Sequence, residues 1–219
     1  MVGKRTVSEA TELRTANSAC PHLLIRQALG QDLVAALFEY ACARECDFSP
    51  GRVRNRFSGP QRLDPAVRDC SHLPDLGTFQ APIKARLEAI KDTAVRRLGL
   101  FEIAIEPCEF EISRYADGGH FAPHIDTGTR LEQIRVQSCV YYFAPAPLRF
   151  SGGALRLHPL PTLSTNHVED PQTVDILPET DTLIIFPSWL CHEVLKVVAV
   201  SGAWGDARFA VNCWFHRTK

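Results

Sequence analysis

The sequence has 219 residues, and its 24 lysines and arginines nearly balance its 25 aspartates and glutamates, giving a formal charge of -1. Hydrophobic residues make up 45% and charged residues 22%, which is typical of a globular chain and excludes a mainly disordered or collagen-like one. The balanced charge also argues against a nucleic-acid-binding protein, which usually carries an excess of basic residues. One hydrophobic core can support a chain of this length, so we expect a single domain over residues 1–219.

The N-terminal residues lack an apolar segment of signal-peptide length, and no later segment approaches the length of a membrane span. The eight cysteines are scattered without a CxxC pair, so we expect reduced thiols rather than a zinc knuckle or a disulfide scaffold. These features predict a cytoplasmic protein without a membrane partner.

The first hundred residues predict a loose terminus followed by a helical support. Residues 1–20 are polar and aperiodic, whereas residues 21–100 contain apolar side chains at strand and helix spacing. Pro82 and Gly99 are suited to the beginning and the end of a helix. This support is predicted to contain one strand and two helices, in the order His22–Ala28, Gln31–Glu45 and Ile83–Leu98.

Residues 49–77, between the two predicted helices, are rich in Pro, Gly, Arg and Asp and predict a long loop or lid. The loop carries four arginines in its first part: Arg52, Arg54, Arg56 and Arg62. It either closes over a substrate or serves as a solvated connector.

Residues 101–219 change to short β-branched and aromatic segments separated by Gly, Pro and Asp turns, which is typical of strands. Eight such strands without intervening helices predict a mainly β protein with a double-stranded β-helix, or jelly roll, as its catalytic core and the two helices packed on one sheet. The predicted strands are Glu102–Tyr115, His120–Ile125, Gln133–Phe143, Ala154–His158, Val174–Leu177, Thr182–Phe186, His192–Val198 and Arg208–His216.

A histidine and a carboxylate two residues apart, His124 and Asp126, share one face of an extended segment and can bind one ion. His192 follows a later apolar strand. Two histidines and one carboxylate on one face of a metal leave adjacent positions open, as in non-haem Fe(II) oxygenases. The alternative interpretation is a hydrogen-bonded core histidine and a turn aspartate.

The surrounding motifs resemble the 2-oxoglutarate/Fe(II)-dependent dioxygenase superfamily, especially its prolyl 4-hydroxylase-like branch. The resemblance covers about residues 110–215 and rests on six segments in family order. These segments are RYADGGHFAPHID at 114–126, SCVYYF at 138–143, GGALRLHP at 152–159, TLIIFPS at 182–188, HEV at 192–194 and RFAVNCWF at 208–215.

The resemblance implies that His124, Asp126 and His192 bind Fe(II), and that Arg208 binds the distal carboxylate of 2-oxoglutarate. A guanidinium suits a buried carboxylate because it forms two parallel hydrogen bonds. The alternative for Arg208 is a surface ion pair with Asp206 or another nearby carboxylate. Three further residues are implied to contact the co-substrate: Tyr142, Tyr115 and Asn212. The two tyrosines are alternatively core aromatics, and Asn212 alternatively caps a neighbouring strand.

The implied activity is hydroxylation of an unactivated C–H bond, with Fe(II), 2-oxoglutarate, O2 and ascorbate as reductant. The leading substrate hypothesis is a prolyl residue of a peptide or protein, and the alternative is a free amino acid or other small metabolite. From another class, the chain is alternatively a cupin-like metal-binding module or an oxygen-sensing interaction protein. A nucleic-acid demethylase fits less well, because no second arginine follows Asn212 at the spacing of that branch.

Overall fold

The computed structural model describes residues 11–14, 19–53, 61–100, 104–127, 135–159 and 172–217. The described elements are β1 (Thr11–Arg14), β2 (His22–Arg26), α1 (Gln31–Ala43), β3 (Ser49–Pro50), β4 (Arg68–Asp69), β5 (Ser71–Leu73), α2 (Gln80–Arg97), β6 (Ile105–Tyr115), β7 (His120–His124), β8 (Arg135–Tyr142), β9 (Phe150–Gly152), β10 (Leu155–Leu157), β11 (Val174–Ile176), β12 (Thr182–Pro187), β13 (His192–Val194), β14 (Val197–Ala199) and β15 (Arg208–Arg217).

Two antiparallel sheets and a short ribbon contain these strands. The larger sheet has eight strands in the order β1-β2-β12-β8-β15-β6-β5-β3, and the smaller has five in the order β11-β10-β13-β7-β4. Strands β14 and β9 form the ribbon. This arrangement confirms the predicted mainly β, jelly-roll fold.

The two helices pack on the outer face of the larger sheet. Apolar side chains of α1 and α2, including Leu37 and Leu87, join one buried cluster with Tyr141 and Val211 of the sheet. Alternation along each strand turns the neighbouring residues to the opposite face, where Tyr142 and Ala210 belong to a second cluster. The larger sheet therefore has a helix-covered face and a face that looks into the jelly roll.

Asp181 ties the helical layer to the sheet. Its buried carboxylate accepts hydrogen bonds from the backbone N–H groups of Leu29 and Gly30, at 2.9 and 3.0 Å, and from the hydroxyl of Tyr141 at 3.0 Å. Gly30 is the residue before α1, and its φ of 98° suits glycine. The start of α1 is thus held by a side chain far along the sequence.

Several predicted boundaries were wrong. The expected loose terminus contains strand β1, and the expected loop at 49–77 contains strands β3, β4 and β5, all paired to other strands. The single strand expected over His192–Val198 is two strands, because β13 pairs with β7 and β10 whereas β14 pairs with β9.

Other differences are small. Helix α2 begins at Gln80, so Pro82 lies within its first turn, where a missing N–H costs no hydrogen bond. The loop arginines Arg54 and Arg56 lie outside the described residues.

Among the helices of the described ranges, none has the length and apolar character needed to cross a membrane.

Candidate active site

The histidines and the aspartate singled out from the sequence come together where β7 and β13 pair. His124 lies directly opposite His192 in the register, and Asp126 follows the end of β7. One ligand atom from each residue lies within 4.8 Å of the others. His124 Nε2 is 3.7 Å from Asp126 Oδ1, and His192 Nε2 is 3.5 Å from Asp126 Oδ2.

The backbone fixes the protonation pattern of both imidazoles. Nδ1 of His124 lies 2.9 Å from the carbonyl oxygen of Ala122, and Nδ1 of His192 lies 2.8 Å from that of Leu190. A carbonyl oxygen only accepts, so each Nδ1 carries a proton and donates it, and each Nε2 is the ring nitrogen that faces Asp126. Burial, together with nearby His192, lowers the pKa of His124 to about 3, which keeps that imidazole neutral.

Asp126 is held by hydrogen bonds to three different parts of the chain. Its Oδ2 accepts hydrogen bonds from Ser138 Oγ at 2.7 Å and from Trp214 Nε1 at 2.9 Å, while its backbone N–H donates to the carbonyl of Ser188 at 2.9 Å. Burial alone would raise the pKa of Asp126, but His192, His124 and these two donors outweigh it and lower the pKa to about 2. Asp126 is therefore anionic at neutral pH.

A cavity of about 520 Å³ leads from this cluster to Arg208, a size within the usual range for small-molecule sites. Arg208 is 2% exposed and donates to the hydroxyl of Tyr142 at 3.0 Å, while its Nε is buried and has no hydrogen-bond partner among the described residues. No described carboxylate forms an ion pair with it. The cavity therefore contains a buried cation that lacks an anion.

The surroundings of Arg208 exclude the alternative ion pair with Asp206. Asp206 instead binds Arg149 at 3.3 Å and Ser201 at 2.8 Å. The guanidinium carbon of Arg208 lies 4.7 Å from the ring of Tyr142 and 5.0 Å from that of Tyr115.

Gly153 makes room for the arginine stem. It has a φ of +63°, and a Cβ there would lie only 2.7 Å from Arg208 Cδ. Glycine at this position is therefore required by both the backbone conformation and the contact.

Tyr115 and Asn212 also line the cavity. Tyr115 is 3% exposed, and burial raises the pKa of its phenol. Asn212 donates from Nδ2 to Glu111 Oε1 at 3.3 Å, across the β6–β15 pair in which the two residues are opposite. Asn212 therefore binds a side chain of the adjacent strand.

The polar cavity residues that sequence reasoning missed include Arg68, Glu111, Ser138 and Trp214. Strand alternation from Arg208 places Trp214 on the cavity face, so period-two spacing was a usable signal for that residue. For Arg68, no local signal exists, because its approach depends on the pairing of β4 with β7.

Two other histidines of the described strands and loops lie apart from the cluster. His120 faces the carbonyl oxygens of Gly118 and Ala66, and His158 binds Glu193 at 3.1 Å. Among the described residues they belong to no group able to hold a metal.

A comparison with known protein families finds a match for the part of the chain that contains this site. Residues 110–216 match the family model of the 2OG-Fe(II) oxygenase superfamily. The matched range begins in β6 and contains both histidines, Asp126, Tyr142 and Arg208. Over this range, which is a little under half of the chain, the sequence is similar to this superfamily.

Individual relatives come from the hydroxylase branch. An uncharacterized PKHD-type hydroxylase from Synechocystis sp. is 29% identical over 139 residues, covering 64% of this chain and 46% of that protein. The chain thus spans a little under half the length of this curated relative.

Solved structures share the fold. A prolyl 4-hydroxylase from Pseudomonas putida has a TM-score of 0.66 at 20% identity, covering 90% of this chain and 92% of that one. A prolyl hydroxylase from Trichoplax adhaerens, solved with a peptide fragment of the hypoxia inducible factor oxygen degradation domain, has a TM-score of 0.62 at 21% identity, covering 90% and 83%.

Proposed function

We propose that this protein is a 2-oxoglutarate- and Fe(II)-dependent dioxygenase that hydroxylates a prolyl residue of a peptide or protein. The observation that carries the proposal is the arrangement of one cavity. Two imidazoles and one carboxylate form a cluster in this cavity, and a buried arginine without an ion-pair partner among the described residues lies elsewhere in its lining.

The donor set fits Fe(II). His124, His192 and Asp126 would supply two nitrogen ligands and one oxygen ligand, and the remaining coordination positions would be available to other molecules. When bound with 2-oxoglutarate and O2, the iron supplies the oxidising power that hydroxylates an unactivated C–H bond, while 2-oxoglutarate is decarboxylated to succinate. Ascorbate is the proposed reductant.

The residues of this chain have separate tasks in the proposed reaction. Arg208 and Tyr142 would hold the distal carboxylate of 2-oxoglutarate, which satisfies the orphaned Nε. Tyr115 and Asn212 would line the co-substrate from the sides. Ser138 and Trp214 keep Asp126 ionised and oriented, so the metal meets an anionic ligand without a proton having to leave.

The prolyl substrate is supported by the relatives rather than by the metal cluster. The sequence resemblance is to the prolyl 4-hydroxylase-like branch, and one structural neighbour was solved with a peptide. We also propose that residues 101–219 are the catalytic core of a single domain and that residues 21–100 support it.

Anaerobic titration of the Fe(II) protein with 2-oxoglutarate tests the enzyme class. We expect a metal-to-ligand charge-transfer band with wild type and a band that needs far more 2-oxoglutarate in Arg208→Ala. Metal binding without any such band would instead indicate a cupin-like metal-binding module. Mass spectrometry of proline-containing peptides and of free proline then tests the substrate, because the prolyl proposal requires an added oxygen on the peptide.

A further inference from the structure

An ion pair between Arg68 and Glu111 crosses the cavity wall away from Arg208. Arg68 Nη2 lies 3.2 Å from Glu111 Oε1, and the two side chains are 15% and 18% exposed. Arg68 comes from β4 of the smaller sheet and Glu111 from β6 of the larger one, so the pair joins the two sheets. Both residues line the cavity.

This pair has hydrogen-bonding capacity left over. Glu111 Oε1 receives both Arg68 Nη2 and Asn212 Nδ2, whereas no donor among the described residues contacts Oε2. Arg68 Nε donates to Cys70 Sγ, and Nη1 has only a 3.5 Å contact with the carbonyl oxygen of Arg52, at the limit of a hydrogen bond. The ion pair therefore retains one acceptor oxygen and one donor nitrogen that could bind another molecule.

The pair is close to the metal cluster. The guanidinium of Arg68 lies 4.9 Å from the ring centroid of Phe121, and that ring stacks on His124 with centroids 3.6 Å apart. A molecule that binds the pair would have its neighbouring atoms near the metal ligands.

The co-substrates cannot fill this capacity. Ionised 2-oxoglutarate carries carboxylate and ketone oxygens and no hydrogen-bond donor, and O2 has none either. Glu111 Oε2 needs a donor.

We infer that the Arg68–Glu111 pair recognises the substrate: Glu111 Oε2 accepts from an N–H group, and Arg68 Nη1 donates to an oxygen next to it. This inference rests on the proposed function. Such an edge occurs in an extended peptide residue, whose own N–H and C=O point the same way, and in a free amino acid with its ammonium and carboxylate. The chemistry required is the same, an N–H donor beside an oxygen acceptor.

Steady-state kinetics of Glu111→Gln and Arg68→Lys test the inference. The probes are L-proline, a mixture of the other common amino acids, and proline-containing peptides with acetylated N-termini and amidated C-termini. Gln is uncharged and therefore loses the charge-assisted acceptor. Lys has a single donor nitrogen where the arginine has two terminal nitrogens. Each variant should therefore raise the KM of the accepted probe about tenfold to a hundredfold. Turnover of the blocked peptides identifies the peptide main chain as the source of the N–H donor and the oxygen acceptor. Turnover of free amino acids alone identifies the ammonium and carboxylate of the zwitterion as that source.

The control is Glu179→Gln, which breaks a matched but exposed Arg26–Glu179 pair of 2.7 Å outside the cavity and should leave KM unchanged. The affinity for 2-oxoglutarate, measured by the charge-transfer band, should change less than threefold in every variant. A substrate KM unchanged in both cavity variants, or no accepted probe despite normal 2-oxoglutarate binding, would overturn the inference. Absence of 2-oxoglutarate binding in wild type would instead overturn the proposed function.

Discussion

Replacing Arg208 by Met and Tyr142 by Phe together should abolish co-substrate binding without weakening the fold. Arg208 is a buried cation with one hydrogen bond, from Nη2 to Tyr142, and with an unsatisfied Nε. Removing one member of a pair leaves an orphan, but replacing both by apolar groups of similar shape is nearly neutral. The double substitution therefore isolates the function of the pair from its structural cost.

The magnitudes favour this outcome. Burying the Arg208 ion costs several kcal/mol of folding free energy. The hydrogen bond to Tyr142 returns about 1.5–3 kcal/mol, and each of the two aromatic contacts returns about 2 kcal/mol. The methionine adds about 1.5–3 kcal/mol from apolar burial. We expect the free energy of unfolding of the unliganded variant to lie within about 1 kcal/mol of wild type or above it.

The liganded proteins should differ sharply. Loss of a buried charge-assisted contact costs about 2–5 kcal/mol, so 2-oxoglutarate affinity should fall at least about thirtyfold. Denaturant unfolding with and without 2-oxoglutarate and metal measures both effects, and Arg149→Met is a control at an exposed arginine. A loss of more than about 3 kcal/mol in the unliganded variant would show that Arg208 is already satisfied without an anion, contrary to our reasoning.

Three further outcomes follow from the site and the core. Asp126→Ala should remove most Fe(II) affinity in calorimetric titration with little change in unfolding temperature, and undiminished binding would exclude Asp126 as a ligand. Trp214→Phe removes one donor to Asp126 and should weaken Fe(II) binding about tenfold to a hundredfold, whereas Trp189→Phe, at a 40% exposed tryptophan, should not. Burial raises the pKa of the Cys139 thiol to about 12, so iodoacetamide at pH 8 should label the exposed Cys46 in native protein and Cys139 only after unfolding; mass spectrometry giving equal labelling would contradict this burial.

The fold was predictable where periodicity is local. Alternation in β15, helical spacing in α1, and the start and stop signals Pro82 and Gly99 around α2 predicted elements of the core. The family resemblance implied that His124 and His192 meet. The short strands β3 to β5 escaped because each has only two or three residues and exists through pairing with distant strands. No composition signal marks such an element.

The polar surroundings of the site were less predictable for the same reason. Trp214 reaches Asp126 across 88 residues, and Arg68 reaches Glu111 across 43. Each contact depends on the register of two sheets and on side-chain length, which a single sequence does not encode locally. The proposed metal ligands were easier to identify, because His124 and Asp126 are close neighbours in the sequence.

The two faces of strand β8 have different roles. Its helix-facing Tyr141 binds Asp181 and so anchors α1, while the next residue, Tyr142, binds Arg208 on the opposite face of the sheet. Adjacent residues therefore contact the scaffold on one face and the proposed co-substrate site on the other. A lineage can alter the cavity-facing positions to accept a new molecule while the positions between them continue to hold the scaffold together, which makes this strand a natural place for specificity to diverge.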